Sequence, residues 1–144
     1  MCPPMQGAPG PDVRTHLGLD RRLCGLPLDV GEGSAEVAFE AFLEMAADDR
    51  GLVHGGFVFS LADHAAMLAV NDPHVVLGSA DVRFLKPVVV GERLVARAAV
   101  EETDGRRSKV RVEVLRGTEV VMAGTFLCIT LERHVLDTGV GGKR

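Results

Sequence analysis

An aspartate inside an apolar segment is the residue of this sequence best placed to do chemistry. Asp63 stands in the segment Gly55 to Val70, whose other side chains are almost all apolar. A buried carboxylate is costly unless it is paired, neutralised or lining a cavity, and desolvation raises its pKa so that it becomes a better general base. The alternative is a carboxylate that faces solvent at an interface or is held by a nearby arginine, and composition alone gives the two interpretations equal weight.

Two glycines begin the same segment. Gly55 and Gly56 follow His54, and their missing side chains allow a ligand to come close to the backbone. Free N–H groups and the positive end of a helix dipole favour an oxyanion at such a turn. Asp63 lies two helical turns further on, on the same side of the helix. A carboxylate near an oxyanion hole indicates acyl transfer, whereas an ordinary loop-to-helix junction would explain the glycines alone.

The element that carries these residues is predicted to be a buried helix. A helix that is apolar on all sides is normally surrounded by protein, and Gly55 to Val70 would run roughly 25 Å, about the width of a small domain. Phe57, Phe59 and Met67 either line an acyl tunnel or belong to the core, and helical spacing does not separate these interpretations.

Strands are expected both before and after this helix in the chain. Alternating apolar and polar residues predict strands at 75–85, 93–101, 108–115 and 119–131, and glycine-containing turns between the last three indicate an antiparallel meander. Both faces of the last strand are apolar, so we expect both to be buried, one of them by another subunit. Residues 26–30 and 35–39 flank the turn 31–33 as a first hairpin. One long helix with an antiparallel sheet is an α+β architecture.

The chain ends are predicted to lie outside a single domain at residues 12–134. Residues 1–11 are rich in proline and glycine and residues 135–144 are rich in glycine, so both are expected to be disordered or frayed tails. Between them, residues 12–24 show loose helical spacing. We expect a short outer helix there, with Asp12 as its N-cap.

Composition excludes several classes of function. The chain has 144 residues and a net charge of -4, and 4% of its residues are aromatic, so neither duplex nor single-stranded nucleic acid is an expected partner. Cys2, Cys24 and Cys128 are too widely spaced for a disulfide framework or a zinc knuckle. No signal sequence or membrane helix is expected. These features predict a soluble cytoplasmic protein.

A metal site and a serine nucleophile are both poor interpretations of the central segment. His54, Asp63, His64 and His74 are the candidate ligands, but neighbouring residues on a helix project about 100° apart. Ser60 has no nucleophile-elbow context, so its hydroxyl is expected to bond to the preceding helical turn.

Three short motifs occur together in one family. These are H-G-G at residues 54–56, L-A-D at 61–63 and D-V-R-F-L-K-P at 81–87. In this combination the sequence resembles the hotdog-fold acyl-CoA thioesterases of the phenylacetate-pathway type, over roughly residues 26 to 131. The helix motifs H-G-G and L-A-D together with the later motif D-V-R-F-L-K-P are far more specific than either part alone.

The resemblance implies a sheet wrapped around one long central helix, a homodimer with a shared active site at its interface, and usually a dimer of dimers, a homotetramer. In such enzymes the acid at the position of Asp63 attacks the thioester carbonyl or activates water. The backbone N–H at the position of Gly55 polarises the carbonyl oxygen, and the histidine matching His54 helps to position the thioester. Gly56 is expected to contact the substrate in the same turn.

Two positions depart from the family pattern. Many relatives have Asn six residues before the histidine, where this sequence has Asp48. The residue after the acid is often Thr, Ser or Asn, where this sequence has His64. We expect both at the substrate site, with Asp48 changing a supporting contact and His64 either altering the position of water or pointing elsewhere.

Coenzyme A carries a 3′-phosphate and a pyrophosphate, so an acidic protein needs local cations to hold it. Candidates are Arg83 and Lys86 at the end of one strand, and Arg106 and Arg107 beside a later turn. Charged residues at strand ends are usually only solvated, and for the Arg106-Arg107 pair that alternative has the greater weight.

The sequence therefore predicts a homo-oligomeric acyl-CoA thioesterase that releases a free acid and CoA without a metal or redox cofactor. A hotdog hydratase or dehydratase is one alternative, although His54 alone does not supply its usual catalytic histidine and acid. A non-catalytic acyl-CoA-binding module, such as the ligand-sensing part of a regulator, is another. No DNA-binding segment is apparent in the sequence, which favours the enzyme.

Overall fold

A computed structural model describes residues 11–138, which form one antiparallel sheet and one long helix. The strands are β1 (Leu26–Gly31), β2 (Ser34–Glu40), β3 (Val75–Phe84), β4 (Arg93–Asp104), β5 (Arg107–Arg116) and β6 (Glu119–Thr130). The helices are α1 (Arg21–Cys24) and α2 (Gly55–Val70), with short 3-10 helices at Leu43–Met45 and Val135–Asp137. The sheet has six strands in the order β1-β2-β4-β5-β6-β3.

The sheet wraps around α2, which confirms the expected α+β architecture. Alternate residues of β5 are buried against the helix, namely Val110, Val112 and Val114, while the residues between them face outward. The same alternation in β2 and β4 completes an apolar layer under α2. Leu61, Ala65 and Leu68 of the helix are completely buried against this layer. Burial of this apolar layer is the main force that holds the helix inside the sheet.

The helix has the predicted bounds, and a polar contact fixes its C-terminal end. Asn71 follows α2 in the left-handed conformation, with φ 54°, which is a common way to end a helix. Its side-chain oxygen accepts from the Arg14 N–H at 2.8 Å, and its side-chain nitrogen donates to the Asp12 carbonyl at 2.7 Å. The end of α2 therefore holds the N-terminal segment, residues 11–20, across the helix.

The predicted hairpin and meander are confirmed, and the strand ends differ from those predicted by no more than a few residues. The ladder between β5 and β6 is irregular beside Val121. The pairing with β5 shifts register at this point, because Val114 lies opposite Met122 and Leu115 lies opposite Val120. Both Val121 and Met122 are consequently buried.

The predicted outer helix at residues 12–24 is wrong, since only Arg21–Cys24 is helical in this segment. The N-cap of this helix is Asp20 rather than Asp12. The preceding residues are irregular, with His16 at φ 57°, a conformation that a helix cannot contain. Leu17 is 71% exposed, whereas Thr15 is buried. The polar contacts with Asn71 outweigh the weak helical pattern of this segment.

Most of the predicted tails lie outside the described residues, which exclude 1–10 and 139–144. Cys2 falls in the first of these ranges. Cys24 and Cys128 are free thiols. No helix within residues 11–138 is long and apolar enough to cross a membrane.

One edge of the sheet is β3, which pairs with β6 on one side only. Residues 78–81 of β3 are exposed. Gly124 of β6 lets the two strands lie close together, because a Cβ at this position would be 2.5 Å from the Asp81 carbonyl oxygen. The opposite side of β3 therefore presents backbone groups that no other strand within residues 11–138 satisfies.

Candidate active site

Asp63 lies in the middle of α2 with one carboxylate oxygen in an unusual position. Its Oδ1 is buried and has no hydrogen-bond partner among the described residues. Desolvation raises the pKa of this carboxyl from 3.8 to about 6. No arginine or lysine forms an ion pair with it within residues 11–138. The structure therefore favours the desolvated carboxylate over the one held by a nearby arginine.

Apolar side chains from β6 and from the preceding turn of α2 make the surroundings of this carboxyl dry. Phe59 lies one turn before Asp63 on the same side of the helix, and its ring packs on Phe126 at a centroid distance of 5.4 Å. Cys128 is fully buried on the same face of β6 as Phe126. Burial, with a smaller contribution from the Asp63 charge, raises the pKa of the Cys128 thiol to about 12. The thiol is thus a neutral neighbour of the carboxyl.

The first turn of α2 has backbone donors available. The Phe57 N–H donates to the His54 carbonyl at 3.0 Å, but the Gly55 and Gly56 N–H groups have no acceptor within residues 11–138. Such free donors are general at helix N-termini and attract negative charge. Gly55 lies against Phe84 at the end of β3, where an added Cβ would be 3.5 Å from the Phe84 ring. This turn is therefore suited to bind an oxyanion.

His54 precedes the turn and is held by its backbone. Its N–H donates to the Met45 carbonyl at 3.0 Å, and the neighbouring Val53 N–H donates to the Val88 carbonyl at 2.8 Å. The exposed imidazole lies over Gly56, where a Cβ would be 3.0 Å from two ring atoms, and contacts the Phe57 ring edge-on. The glycine thus makes room for the histidine, which leaves the ring beside the free N–H groups.

Asp48 shapes the loop that leads to His54. Its Oδ1 accepts from the Arg50 N–H at 3.0 Å and from the Leu52 N–H at 3.1 Å. This is the behaviour of an aspartate that closes a turn with its own side chain. In the described chain Asp48 is exposed, and these contacts give it a part in forming the loop.

His64 projects from α2 about 100° away from Asp63. Its side chain is buried below the N-terminal segment, and its Nδ1 lies 2.9 Å from the Cys24 carbonyl oxygen. Burial, opposed by this hydrogen bond and assisted by Arg21, lowers the pKa of His64. Of the two orientations considered from the sequence, it points elsewhere. Ser60 likewise donates to Cys24 Sγ at 3.2 Å rather than to the preceding helical turn, which corrects that expectation.

The four predicted CoA-binding cations do not meet at Asp63. Lys86 lies 3.9 Å from Glu119, and Arg106 forms an ion pair with Glu132. Arg83 and Arg107 are exposed on strands whose inward residues alternate with them, so both lie on the outer face of the sheet. The helix and its carboxyl lie on the other face.

The sequence analysis missed the residues of β6 and β3 that complete the surroundings, Phe126, Cys128 and Phe84. Their alternation in the strands was visible, but pairing between β3 and β6 crosses the whole meander and has no local signal. Of the residues left open, Met67 is fully buried in the core, while Phe57 and Phe59 are half-buried. Within residues 11–138, no group of three or more His, Cys, Asp or Glu side chains is arranged to hold a metal ion.

The chain matches a known protein family. The family model for the thioesterase superfamily matches residues 50–123, slightly more than half of the chain. The match begins before the first turn of α2 and includes Asp63, the whole of β3 and the Phe84 position.

Solved structures show the same fold. An uncharacterized protein from Pyrococcus horikoshii is 56% identical with a TM-score of 0.85, and the alignment covers 86% of this chain and 95% of that one. A mutant of the phenylacetic acid degradation protein PaaI from Thermus thermophilus is 32% identical with a TM-score of 0.70, covering 76% of this chain and 95% of that one. These similarities confirm the resemblance inferred from the three motifs.

Two curated relatives carry other names. A methylthioribose-1-phosphate isomerase from Aquifex aeolicus is 52% identical over 120 residues, which cover 83% of this chain but 26% of that protein. The transcription factor FapR from Caldanaerobacter subterraneus is 30% identical over 125 residues, which cover 86% of this chain and 62% of that protein. Both names describe proteins of which this chain spans less than two thirds. By its family model, its motifs and its fold, the chain belongs to the thioesterase superfamily of hotdog proteins.

Proposed function

We propose that this protein is an acyl-CoA thioesterase that hydrolyses a thioester to the free acid and CoA. The observation that carries the proposal is the buried, unpartnered Oδ1 of Asp63 on a helix whose first turn has free N–H groups. In this proposal Asp63 is the nucleophile or general base, the Gly55 N–H is the oxyanion donor and His54 positions the thioester. No metal or redox cofactor takes part.

As a general base, the Asp63 carboxylate takes a proton from water while the water oxygen adds to the thioester carbonyl carbon. The Gly55 N–H stabilises the negative oxygen that forms. The carbon–sulfur bond then breaks, and the CoA sulfur leaves with the proton. As a nucleophile, the carboxylate itself adds to the carbonyl, CoA leaves, and water hydrolyses the resulting anhydride. Both routes need an ionised Asp63, so activity should rise as the pH passes its pKa of about 6.

The spacing of these groups on α2 favours an active site shared by two copies. Gly55 and Asp63 are eight residues apart, which is about 12 Å along a helix axis. A reacting carbonyl needs a nucleophile and oxyanion donors each about 3 Å away. Even after these two contacts are subtracted, the distance along the helix from Gly55 to Asp63 is longer than an aspartate side chain. We therefore propose that Asp63 of one copy acts with Gly55 of a second copy.

The exposed edge of β3 supplies the contact for such a dimer. Asp63 lies beside Cys128, which pairs across the sheet with Leu77 of β3, whereas Gly55 lies beside Phe84 at the other end of that strand. Two copies of β3 that pair antiparallel about the middle of their exposed stretch place Leu77 of one opposite Val82 of the other, two residues from Phe84. The same pairing thus brings Asp63 of each copy towards the Gly55 turn of its partner and continues the sheet.

Further assembly into a dimer of dimers, and a cytoplasmic setting, complete the proposal. The half-buried outer residues of β6, among them Leu127 and Ile129, are suited to a second contact between dimers. The free Cys24 and Cys128 thiols are typical of proteins in a reducing compartment.

The test is the release of CoA thiol from a panel of short, medium, long and aromatic acyl-CoAs, with the protein's own thiols subtracted. We expect hydrolysis of at least one class, and a loss of about 10²–10⁴-fold in the variant Asp63→Asn. The variant should still bind CoA and should still be folded, as shown by a cooperative thermal unfolding transition. An Asp63→Asn protein with a rate close to wild type would remove this carboxylate from the mechanism.

A non-catalytic acyl-CoA-binding module is the second candidate, because FapR transcription factors are among the relatives. The same panel separates the two functions. Binding of acyl-CoA without thiol release across the panel would favour the module. Hydration of an unsaturated acyl-CoA without thiol release would favour the hydratase alternative.

A further inference from the structure

A groove lined by three arginines lies beside the N-terminal end of α2. This arginine groove is formed by Arg21, Arg22, Arg93, Phe42, Glu40 and Glu44, with Leu26, Ala38 and Phe39 as its apolar floor. Its volume is about 580 Å³, within the range of roughly 300–1,000 Å³ that small-molecule sites occupy. Neither the three motifs nor the predicted cation cluster pointed to it.

The groove is partly preorganised. The Arg22 guanidinium lies over the Phe42 ring, 4.8 Å from its centroid, and is only loosely paired with Asp20 at 4.0 Å. Within residues 11–138, Arg21 and Arg93 form no ion pair with an acid. By contrast, Lys86 and Arg106 are paired with glutamates. Within residues 11–138, two of the four predicted CoA-binding cations are thus already paired with acids, whereas two of the three groove arginines are not.

The groove is close to the proposed oxyanion donors but separate from them. Phe42 precedes the 3-10 helix Leu43–Met45, and the Met45 carbonyl accepts the His54 N–H, the last residue before α2. Arg93 begins β4 opposite Glu40, and the Ala41 and Gly91 backbones bond at the same junction. A ligand whose reactive end lies at Gly55 can thus reach the groove with a distant end.

We propose that the arginine groove binds the 3′-phosphorylated adenosine end of the coenzyme A thioester. This inference rests on the proposed function, since it assigns the other end of the same substrate. Guanidinium groups bind phosphate oxygens through paired, charge-assisted hydrogen bonds. The planar Arg22 and Phe42 pair offers a surface on which an adenine ring stacks.

The two acids of the groove fit the same ligand. Glu40 and Glu44 would repel a bare inorganic phosphate, but carboxylates accept hydrogen bonds from ribose hydroxyl groups. An aromatic ring, several guanidinium groups and a carboxylate together match base, phosphate and sugar. An acidic peptide would bring carboxylates against the two glutamates and carries neither a purine base nor a phosphate, so the nucleotide is the occupant that the chemistry favours.

The test compares an acyl-CoA with the same acyl-dephospho-CoA, which lacks only the 3′-phosphate. The groove variant is Arg22→Ala with Arg93→Ala, and its matched control is Arg14→Ala with Arg133→Ala, two exposed arginines outside the groove that give the same change in net charge. We expect the groove variant to raise the KM for acyl-CoA by about tenfold or more. Its KM for the dephospho substrate should change much less, kcat should be retained for both, and the control should keep the wild-type preference.

Direct binding keeps the inference separate from catalysis. Calorimetric titration with adenosine 3′,5′-bisphosphate needs no hydrolysis. Arg93→Ala alone is a mild variant, because the Arg93 side chain forms no ion pair with an acid within residues 11–138. Binding by wild type and control, but not by the groove variants, would support the groove even if no thioester were hydrolysed. If the groove variant and the wild type hydrolyse both substrates and prefer acyl-CoA over acyl-dephospho-CoA to the same degree, the proposal for the groove is overturned. The proposed thioesterase function would remain. Equal binding of the bisphosphate by all proteins would also overturn the proposal for the groove.

Discussion

Two neighbouring residues of α2, Asp63 and His64, project about 100° apart on the helix, and one has a satisfied buried polar group while the other does not. His64 is satisfied, with its ring bonded to the Cys24 carbonyl below the N-terminal segment. Asp63 has a buried oxygen without a partner among the described residues, beside the apolar floor of Phe59, Phe126 and Cys128. Native proteins rarely leave such a group unsatisfied without a functional reason. His64 therefore stabilises the fold, and Asp63 is the group to which the proposed function assigns the chemistry.

The two residues also respond to pH with opposite sign. Burial lowers the pKa of His64 from 6.5, so the folded state binds this proton less readily than the unfolded state and loses stability as the pH falls below 6.5. Burial raises the pKa of Asp63 from 3.8 to about 6, so its contribution is favourable at low pH and is lost as the pH rises between these values. Each substitution below acts on His64, on Asp63 or on its proposed partner Gly55.

The largest expected effect concerns the proposed oxyanion donor. Gly55→Pro deletes one N–H at the first helical position, where proline fits, and the extended His54 backbone at ψ 132° is compatible with a following proline. We expect kcat to fall about 10²–10³-fold. Gly55→Ala is the matched control, because it keeps the N–H and its Cβ would make only an ordinary contact with Phe84. Equal rates in the two variants, measured by thiol release, would exclude the Gly55 N–H as donor.

His64→Ala should destabilise the fold by about 3 kcal/mol, because it leaves a cavity and an unsatisfied Cys24 carbonyl. Denaturant unfolding at pH 7.5 measures this loss. The kcat of the variant, measured where it remains folded, should stay within a few-fold of wild type. A selective loss of kcat without loss of stability would instead place His64 in the catalytic machinery.

The smallest effect is a gain. Asp63→Asn removes a charge that is costly to bury, so the variant should be more stable than wild type by up to about 2 kcal/mol at pH 7. Thermal unfolding across the pH range checks the sign. The gain should shrink as the pH falls below 6 and be small near pH 3.5, where the aspartate is mostly neutral in both states. A gain that does not depend on pH would contradict a desolvated carboxylate.

Sequence patterns predicted what is local or periodic. The bounds of α2, the meander and the position of Asp63 on a buried helix follow from residues that lie near one another in the chain. Apolar spacing could not show that His64 bonds to Cys24, that Arg21, Arg22 and Arg93 share a groove, or that β3 pairs with β6. These contacts join residues far apart in sequence. The outer helix failed for a related reason, because Asn71, distant in the chain, fixes the segment that contains it.

The most direct test of the central claim, a site shared between Asp63 of one copy and Gly55 of another, is subunit complementation. Asp63→Asn and Gly55→Pro proteins, each inactive alone, are mixed, unfolded and refolded together, and thiol release is measured. Each mixed dimer then contains one intact pair, so an equal mixture should regain about a quarter of the wild-type activity. A mixture that forms mixed dimers but stays as inactive as its parents would show that both groups must come from the same copy.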